Sequence, residues 1–249
     1  MNLCIDIGNT TVKLAVFDAG RQVLFQRSER LEIPRLEELS YNHPVDQVIL
    51  SSVVPVDADA TEYLRRRFPG YRRFTVDMPL PLTLDYGSPE TLGLDRLAAA
   101  AGAWQLFPGR PVLVVDAGTC MTADLVDATG CFRGGNISPG IGMRLRAMHR
   151  FTAGLPLVDA PEAPMSDASH AFLGHHTQHA VWNGAVLGTV WELEGMWRRC
   201  ASAFDGLAAV LTGGDGAFLA DKISFSATLQ PMLVLQGLNT ILRYNVEKA

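Results

Sequence analysis

Two short stretches carry residue types and spacings that could do phosphate chemistry. Leu3-Cys4-Ile5-Asp6-Ile7-Gly8-Asn9-Thr10 is an apolar run ending in Asp-x-Gly-x-Thr. Val112-Leu113-Val114-Val115-Asp116-Ala117-Gly118-Thr119 is a second apolar run, ending in Asp-x-Gly-Thr and placing Asp116 110 residues after Asp6. Each is followed by another β-like run that closes on Asp, at Asp18 and Asp127. Gly8 and Gly118 leave the turns without side chains, so backbone N–H groups can approach phosphate oxygens. Asn9, Thr10 and Thr119 add short donors. Asp6 and Asp116 would repel a phosphate directly, so carboxylates at these positions call for a cation between them and the anion. Lys13 supplies a flexible point charge for the outer phosphates. Two plain β-hairpins would explain one such stretch. A matched pair points instead to a duplicated domain with a nucleotide between its halves.

Three further places could complete a phosphoryl-transfer site. Thr212-Gly213-Gly214-Asp215-Gly216 is a strand leading into a glycine turn, offering bare backbone at Gly213 and Gly214 to adenosine or its ribose; an ordinary strand–helix turn would look the same. Asp95 follows Gly93 and Leu94 at the start of a helical pattern, where it could serve as a base, although an acidic residue is common in a first helical turn for dipole reasons alone. Arg96 beside it suits an anionic or amide-bearing substrate, or a structural ion pair. His175 and His179 stand at i,i+4 and could share a helix face, but no Glu lies between them and no third metal ligand follows.

The elements that must position these residues alternate between strand and helix. Residues 2–8 and 12–18 pair as strands, 23–27 adds a third, and Val45–Val54 is a buried strand ended by Pro55. Asp57–Phe68 is a helix, acidic first and basic last, with Arg65-Arg66-Arg67 on a solvated face. Tyr71–Val76 is a strand, 77–93 an ordered Pro/Gly loop, and Leu94–Leu106 a helix containing an alanine run at 98–101. Pro108-Gly109-Arg110-Pro111 marks the boundary between a half at 1–110 and a half at 111–249. The second half repeats the order: strands at 112–116, 121–127 and 131–134, a Gly-rich loop at 134–142, a helix to Arg150 and a loop at 154–170. A long helix follows at 178–200, with Trp182, Val186, Val190, Leu193 and Trp197 near helical spacing, as core or as a subunit interface. A strand at 207–211 and a helix at 233–245 close the chain. The expected class is α/β: two duplicated actin-like (ribonuclease H-like) halves, each a mixed sheet flanked by helices.

Bulk properties narrow the function. A net charge of −5 with no dominant basic stripe argues against nucleic acid as the main partner. No apolar run approaches the ~20 residues of a membrane span. The four cysteines show no CxxC spacing and sit in apolar or strand contexts, as buried reduced thiols would. With a strand at the N-terminus in place of a signal peptide, the expected location is cytoplasmic.

In order along nearly the whole chain, Asp6-Ile7-Gly8-Asn9-Thr10, Ser52-Val53-Val54-Pro55, Gly93-Leu94-Asp95-Arg96, Asp116-Ala117-Gly118-Thr119, Gly134-Gly135-Asn136-Ile137-Ser138-Pro139-Gly140 and Thr212-Gly213-Gly214-Asp215 resemble the motifs of type III pantothenate kinases. The resemblance implies the actin/hexokinase/Hsp70-like ATPase fold and ATP-dependent phosphorylation of pantothenate, the first step of coenzyme A synthesis. It also implies a divalent cation such as Mg2+, a monovalent cation (K+ or NH4+), and a homodimer. By the same resemblance Asp95 is the catalytic base, and Asp6, Gly8, Asn9, Thr10, Lys13, Thr119, Gly213 and Gly214 hold ATP. Asp6 would hold the divalent cation through water and Asp116 the monovalent one. Tyr86, Gly93, Leu94, Asp95, Arg96 and Thr177 would meet pantothenate. The histidines crowding Thr177 depart from the family pattern. Two other functions share these motifs: a nucleotide-binding accessory factor of transcription, and another small-molecule kinase such as a sugar kinase.

Overall fold

The computed structural model describes residues 1–159 and 172–248. Along the chain run β1 (Asn2–Ile7), β2 (Val12–Asp18), β3 (Arg21–Ser28), α1 (Ile33–Asn42), β4 (Gln47–Ser52), α2 (Ala58–Arg67), β5 (Gly70–Arg73) and β6 (Thr83–Leu84). There follow α3 (Leu94–Leu106), β7 (Val112–Ala117), β8 (Cys120–Val126), β9 (Cys131–Pro139), α4 (Ile141–Phe151), α5 (Thr177–Ala203), β10 (Ala208–Thr212), α6 (Gly216–Ala220), β11 (Thr228–Leu229) and α7 (Leu233–Glu247). The strands make a five-stranded sheet of order β3-β2-β1-β4-β5 and a six-stranded sheet of order β11-β10-β7-β8-β9-β6. The first is mixed: β1 pairs antiparallel with β2 and parallel with β4. Contacts divide the chain into two compact units. The first holds Met1–Val112, Leu125–Gly134 and Met232–Ala249; the second holds Leu113–Asp124 and Gly135–Pro231.

In the first unit β1 is buried on both faces, which is why its sequence is a continuous apolar run. Leu3, Ile5 and Ile7 join Val12, Leu14, Val16, Val48 and Leu50 in a core covered by Leu36 and Leu39 of α1 and by Leu64 and Phe68. On another side α7 packs against β1, β4 and α3, and Asn2 Nδ2 donates to Asn239 Oδ1 at 2.8 Å. The alanine run has its reason here. A Cβ at Gly237 would lie 1.7 Å from the Ala98 carbonyl oxygen, and one at Gly102 would lie 2.7 Å from that of Leu233. Helices α3 and α7 therefore touch backbone to backbone, and only Ala and Gly leave room. In α2, Asp57 Oδ1 caps the Ala60 N–H at 3.0 Å, and Glu62 pairs with the exposed Arg65 and Arg66.

The second unit contains β7 from Leu113, β8 up to Asp124, β9 from Gly135, and α4, α5, β10, α6 and β11. Val181, Ala185, Val186, Val190 and Leu193 give α5 its buried stripe. Trp197 stacks on Phe225 with centroids 4.6 Å apart, and Trp182 meets Phe218 edge-on at 6.3 Å. Among the described residues no helix is long and apolar enough to cross a membrane.

Several sequence expectations need correction. Residues 134–139 are strand, not loop: a Cβ at Gly135 would lie 2.2 Å from Asp124 Oδ1 and 2.3 Å from the Ala123 carbonyl oxygen, so the glycine lets β9 press onto β8. Only Gly140, the residue before α4, remains a junction. The 77–93 stretch contains β6 and a 3-10 turn at Pro89–Thr91. Helix α1 had no counterpart in the sequence reading, because just two residues, Leu36 and Leu39, anchor an otherwise polar segment. Of the cysteines, all free, Cys4 is buried, but Cys120 is exposed at the start of β8. The loop expected at 154–170 lies outside the described residues from 160 onward.

Candidate active site

The first unit brings one group of expected site residues to two places. At the β1–β2 hairpin the Gly8 N–H donates to the Thr11 carbonyl at 2.9 Å, closing a tight turn with Asn9 and Thr10 exposed at its tip. Asp6, only 8 % exposed, stands in register opposite Lys13 on β2 and Ser51 on β4. Directly opposed residues in paired strands share a face, so the carboxylate, the ammonium stem and the Ser51 hydroxyl line one side of the sheet. Ser51 Oγ is buried and makes no hydrogen bond within the protein. A buried carboxylate beside an unsatisfied hydroxyl fits a hydrated divalent cation, whose waters would donate to both.

The second place is the start of α3. Gly93 precedes the helix with φ −57° and ψ 128°, and a Cβ there would lie 2.6 Å from Asp95 Oδ1. The glycine leaves space for the Asp95 carboxylate, which folds back over it and would have to rotate aside for a Cβ. Asp95 Oδ1 accepts the Arg96 N–H at 2.9 Å, which orients the carboxylate in the first turn, at the positive end of the helix. Leu94 is half-buried beside it. Arg96 is 5 % exposed, and its guanidinium carbon lies 5.8 Å from the Tyr86 ring centre and 5.7 Å from that of Phe132. Tyr86 and Phe132 meet edge-on at 5.9 Å. Delocalised and weakly hydrated, a guanidinium accepts this aromatic setting more readily than an ammonium would.

The same unit contains a polar clamp that the sequence reading passed over. Asp127 Oδ1 accepts from the Thr129 N–H (2.8 Å), the Thr129 hydroxyl (2.6 Å) and the Cys131 N–H (3.0 Å). Its Oδ2 takes Arg133 Nε at 2.7 Å, and Arg133 Nη1 reaches on to Asp85 Oδ2 at 2.8 Å. Burial pushes the Asp127 carboxyl up, but these donors outweigh it and hold the group down at about 2. The sequence signal for the turn was present: Asp followed at two residues by Thr and at three by Gly is an Asx-turn pattern. The long-range partner Asp85 had no such signal.

In the second unit the other group gathers around the β7–β8 turn. Asp116 is half-buried near the end of β7, and Thr119 is exposed in the turn. Gly213 has φ +87°, and a Cβ on it would lie 2.3 Å from the Ala117 carbonyl oxygen and 2.5 Å from Asp116 Oδ1. The Asp215 N–H donates to that same carbonyl at 2.9 Å. The Gly213-Gly214 turn is thereby fastened against Asp116, with Gly214 exposed. Burial raises the Asp215 carboxyl. Gly140 closes on the other side, where a Cβ would lie 2.1 Å from the Gly118 carbonyl oxygen. A carboxylate with backbone carbonyls and a hydroxyl close by is an all-oxygen set of the kind that suits a hard cation. Thr177 opens α5 and is exposed. His175 precedes the helix, so His175 and His179 do not share a helix face; the rings of His176 and His179 meet at a 36° tilt, with centres 3.8 Å apart.

The sequence profile of the family described as type III pantothenate kinase matches residues 2–199. A curated relative from Phocaeicola vulgatus bearing that description is 39% identical over 246 residues, covering 98% of this chain and 99% of the relative. Among solved structures, a Campylobacter jejuni protein described as a Baf family transcriptional activator superposes with TM-score 0.62 at 22% identity, covering 98% of this chain and 99% of the other. A ROK family glucokinase from Streptomyces griseus, solved with glucose and AMPPNP, gives TM-score 0.51 at 13% identity, covering 98% and 99%. At such identities the structural matches speak for the fold alone, an actin/hexokinase-like one.

Proposed function

This chain belongs to the type III pantothenate kinase family, and we infer from that membership that it transfers the γ-phosphoryl group of ATP to pantothenate, yielding 4'-phosphopantothenate for coenzyme A synthesis. The observation that carries the reading from family to chemistry is the start of α3. There Gly93 makes room for an Asp95 carboxylate already oriented by the Arg96 N–H. In this reading Asp95 takes the proton of the attacking hydroxyl. Arg96, set against Tyr86 and Phe132, would bind the substrate's polar end with Gly93 and Leu94 beside it, and Thr177 is proposed as a further substrate contact. Gly8, Asn9, Thr10 and Lys13 would hold the phosphates, and Thr119, Gly213 and Gly214 would also serve to bind ATP. Catalysis would be positioning and charge stabilisation, which is most of what phosphoryl transfer asks of a protein.

A divalent cation, held by Asp6 through water, would neutralise charge on the phosphates. The buried Ser51 hydroxyl beside Asp6 supports that placement. Asp116 would hold K+ or NH4+. We propose further that residues 1–110 and 111–249 act as the two halves of the ATPase, that the enzyme is cytoplasmic, and that it is a homodimer. The exposed Trp191 on α5, 54 % accessible, supports an interface there, and light scattering should give twice the 27.0 kDa chain mass. The assay for the activity is ADP release from ATP with pantothenate, with glucose and with no acceptor. Release that depends on pantothenate alone is expected. Release with glucose would make the protein a sugar kinase, and binding of ATP without turnover would make it a nucleotide-dependent regulator.

A further inference from the structure

We propose that Asp85, Arg133 and Asp127 form a positioning strut that fixes Tyr86 against Arg96 and so sets the enzyme's affinity for pantothenate. The inference rests on the reading above, in which Tyr86 and Arg96 bind that substrate.

The local structure around Tyr86 is thin. Strand β6 has two residues, Thr83 and Leu84, paired parallel with Cys131 and Phe132. Two backbone hydrogen bonds flank this ladder, Thr83 N–H to the Gly130 carbonyl and Asp85 N–H to the Phe132 carbonyl, each at 3.0 Å. So short a ladder has little stability of its own. Tyr86 comes two residues after Leu84 and leads into the Gly87-Ser88-Pro89 segment.

The strut adds what the ladder lacks. Asp127 is 6 % exposed and is anchored by three donors from its own turn, so its position is fixed by the fold. Arg133 uses one edge of its guanidinium on Asp127 and extends another nitrogen to Asp85, whose side chain is 67% exposed. The planar fork thus carries the rigidity of the Asp127 turn across to the residue before Tyr86. One residue beyond Arg133, Gly134 turns with φ +89° and would place a Cβ 3.6 Å from the Tyr86 ring, so the ring lies over bare backbone. Phe132, one residue before Arg133, supplies the edge contact to Tyr86 and the second aromatic surface on Arg96. Residues 132–134 therefore hold Tyr86 from below, from the side and, through Asp85, from the chain itself. None of the three charged residues needs to touch substrate.

Asp85→Asn and Arg133→Leu test this. Asp85 is exposed and outside the core, so its variant should fold as the wild type does, whereas Arg133→Leu also strips one donor from Asp127. Each should raise the KM for pantothenate about two- to fivefold, the range a partly exposed ion pair supplies, with kcat and the KM for ATP within about twofold of wild type. The double variant should be no worse than Arg133→Leu alone, because the two residues act through one contact. Arg133→Lys, which cannot bridge both carboxylates, should resemble Arg133→Leu. Hydrogen exchange gives a readout independent of activity: amides at 84–87 should exchange faster in the variants while those of β1 do not. An unchanged pantothenate KM, equal effects on both substrates, additive single changes, or unaltered exchange at 84–87 would each overturn the strut. Absence of pantothenate turnover in the wild type would overturn the substrate reading instead, and the exchange result would still decide whether the strut exists.

Discussion

Replacing Gly213 with alanine should damage the second unit out of proportion to the one methyl group added. Its backbone sits at φ +87°, a region where an L side chain costs roughly 1–2 kcal/mol. The new Cβ would stand 2.3 Å from the Ala117 carbonyl oxygen, about 1 Å inside ordinary contact, and the obstacle is backbone that cannot rotate away. Relief requires the Gly213-Gly214 turn to lift off β7, which stretches the 2.9 Å bond from the Asp215 N–H to Ala117. That loss adds about 1 kcal/mol. The sum is about 2–3 kcal/mol, and for a chain of this size each kcal/mol lowers the melting temperature by about 2–4 °C. A drop of roughly 4–12 °C is expected in thermal unfolding followed by circular dichroism. Gly214→Ala is the internal control, because no atom lies within 4 Å of its would-be Cβ and its φ is not left-handed. It should melt within about 2 °C of wild type. Equal melting temperatures for the two variants, or a Gly213→Ala protein as stable as wild type, would refute the reasoning.

Other expectations follow from the site. Lys13→Ala and Asp6→Ala should raise the requirements for ATP and magnesium or abolish turnover, as read from kinetic series over each; unchanged behaviour toward both ligands would make the hairpin merely structural. Potassium or ammonium should raise activity with sodium as the ionic-strength control, and Asp116→Ala should lose both activity and that response; a mutant that keeps the response would remove Asp116 as the ligand. The Asp127 carboxyl, lowered from 3.8 to about 2 on folding, stabilises the protein fully above its unfolded value and loses that contribution as pH falls through about 2. With allowance for the solvent-exposed side of its Arg133 partner, this amounts to on the order of 1–2 kcal/mol. Urea unfolding at a series of acid pH values should therefore show a steeper loss for wild type than for Asp127→Asn, and parallel curves would contradict the assignment.

What the sequence made legible was local. The two hairpins, the Gly93-Leu94-Asp95-Arg96 helix start and the Thr212-Gly213-Gly214-Asp215 turn each announce themselves within a few residues, since turn and helix-start chemistry depends on immediate neighbours. What stayed hidden depends on distant ones. Gly237 matters because Ala98 presses against it, and Gly135 because β8 lies beneath it. Neither partner is visible in the stretch that contains the glycine, so 134–139 read as loop when it is strand. The alanine run at 98–101 was plain in the sequence, yet its purpose required the opposing helix. Arg133 looked like any surface arginine until Asp85, 48 residues earlier, was placed beside it. His175 and His179 stand at i,i+4, but α5 begins at Thr177, after His175, so the spacing does not place them on one helix face.

In the proposed reaction Asp95 activates the hydroxyl of pantothenate for attack on ATP. The measurement that tests it most directly is mass-spectrometric detection of phosphorylated pantothenate formed by the wild type and by Asp95→Asn, with ATP affinity measured alongside. Product is expected from the wild type and a rate roughly 10²–10⁴-fold lower in the variant, with ATP binding nearly intact. No phosphorylated pantothenate from the wild type, or wild-type turnover in the variant, would contradict it.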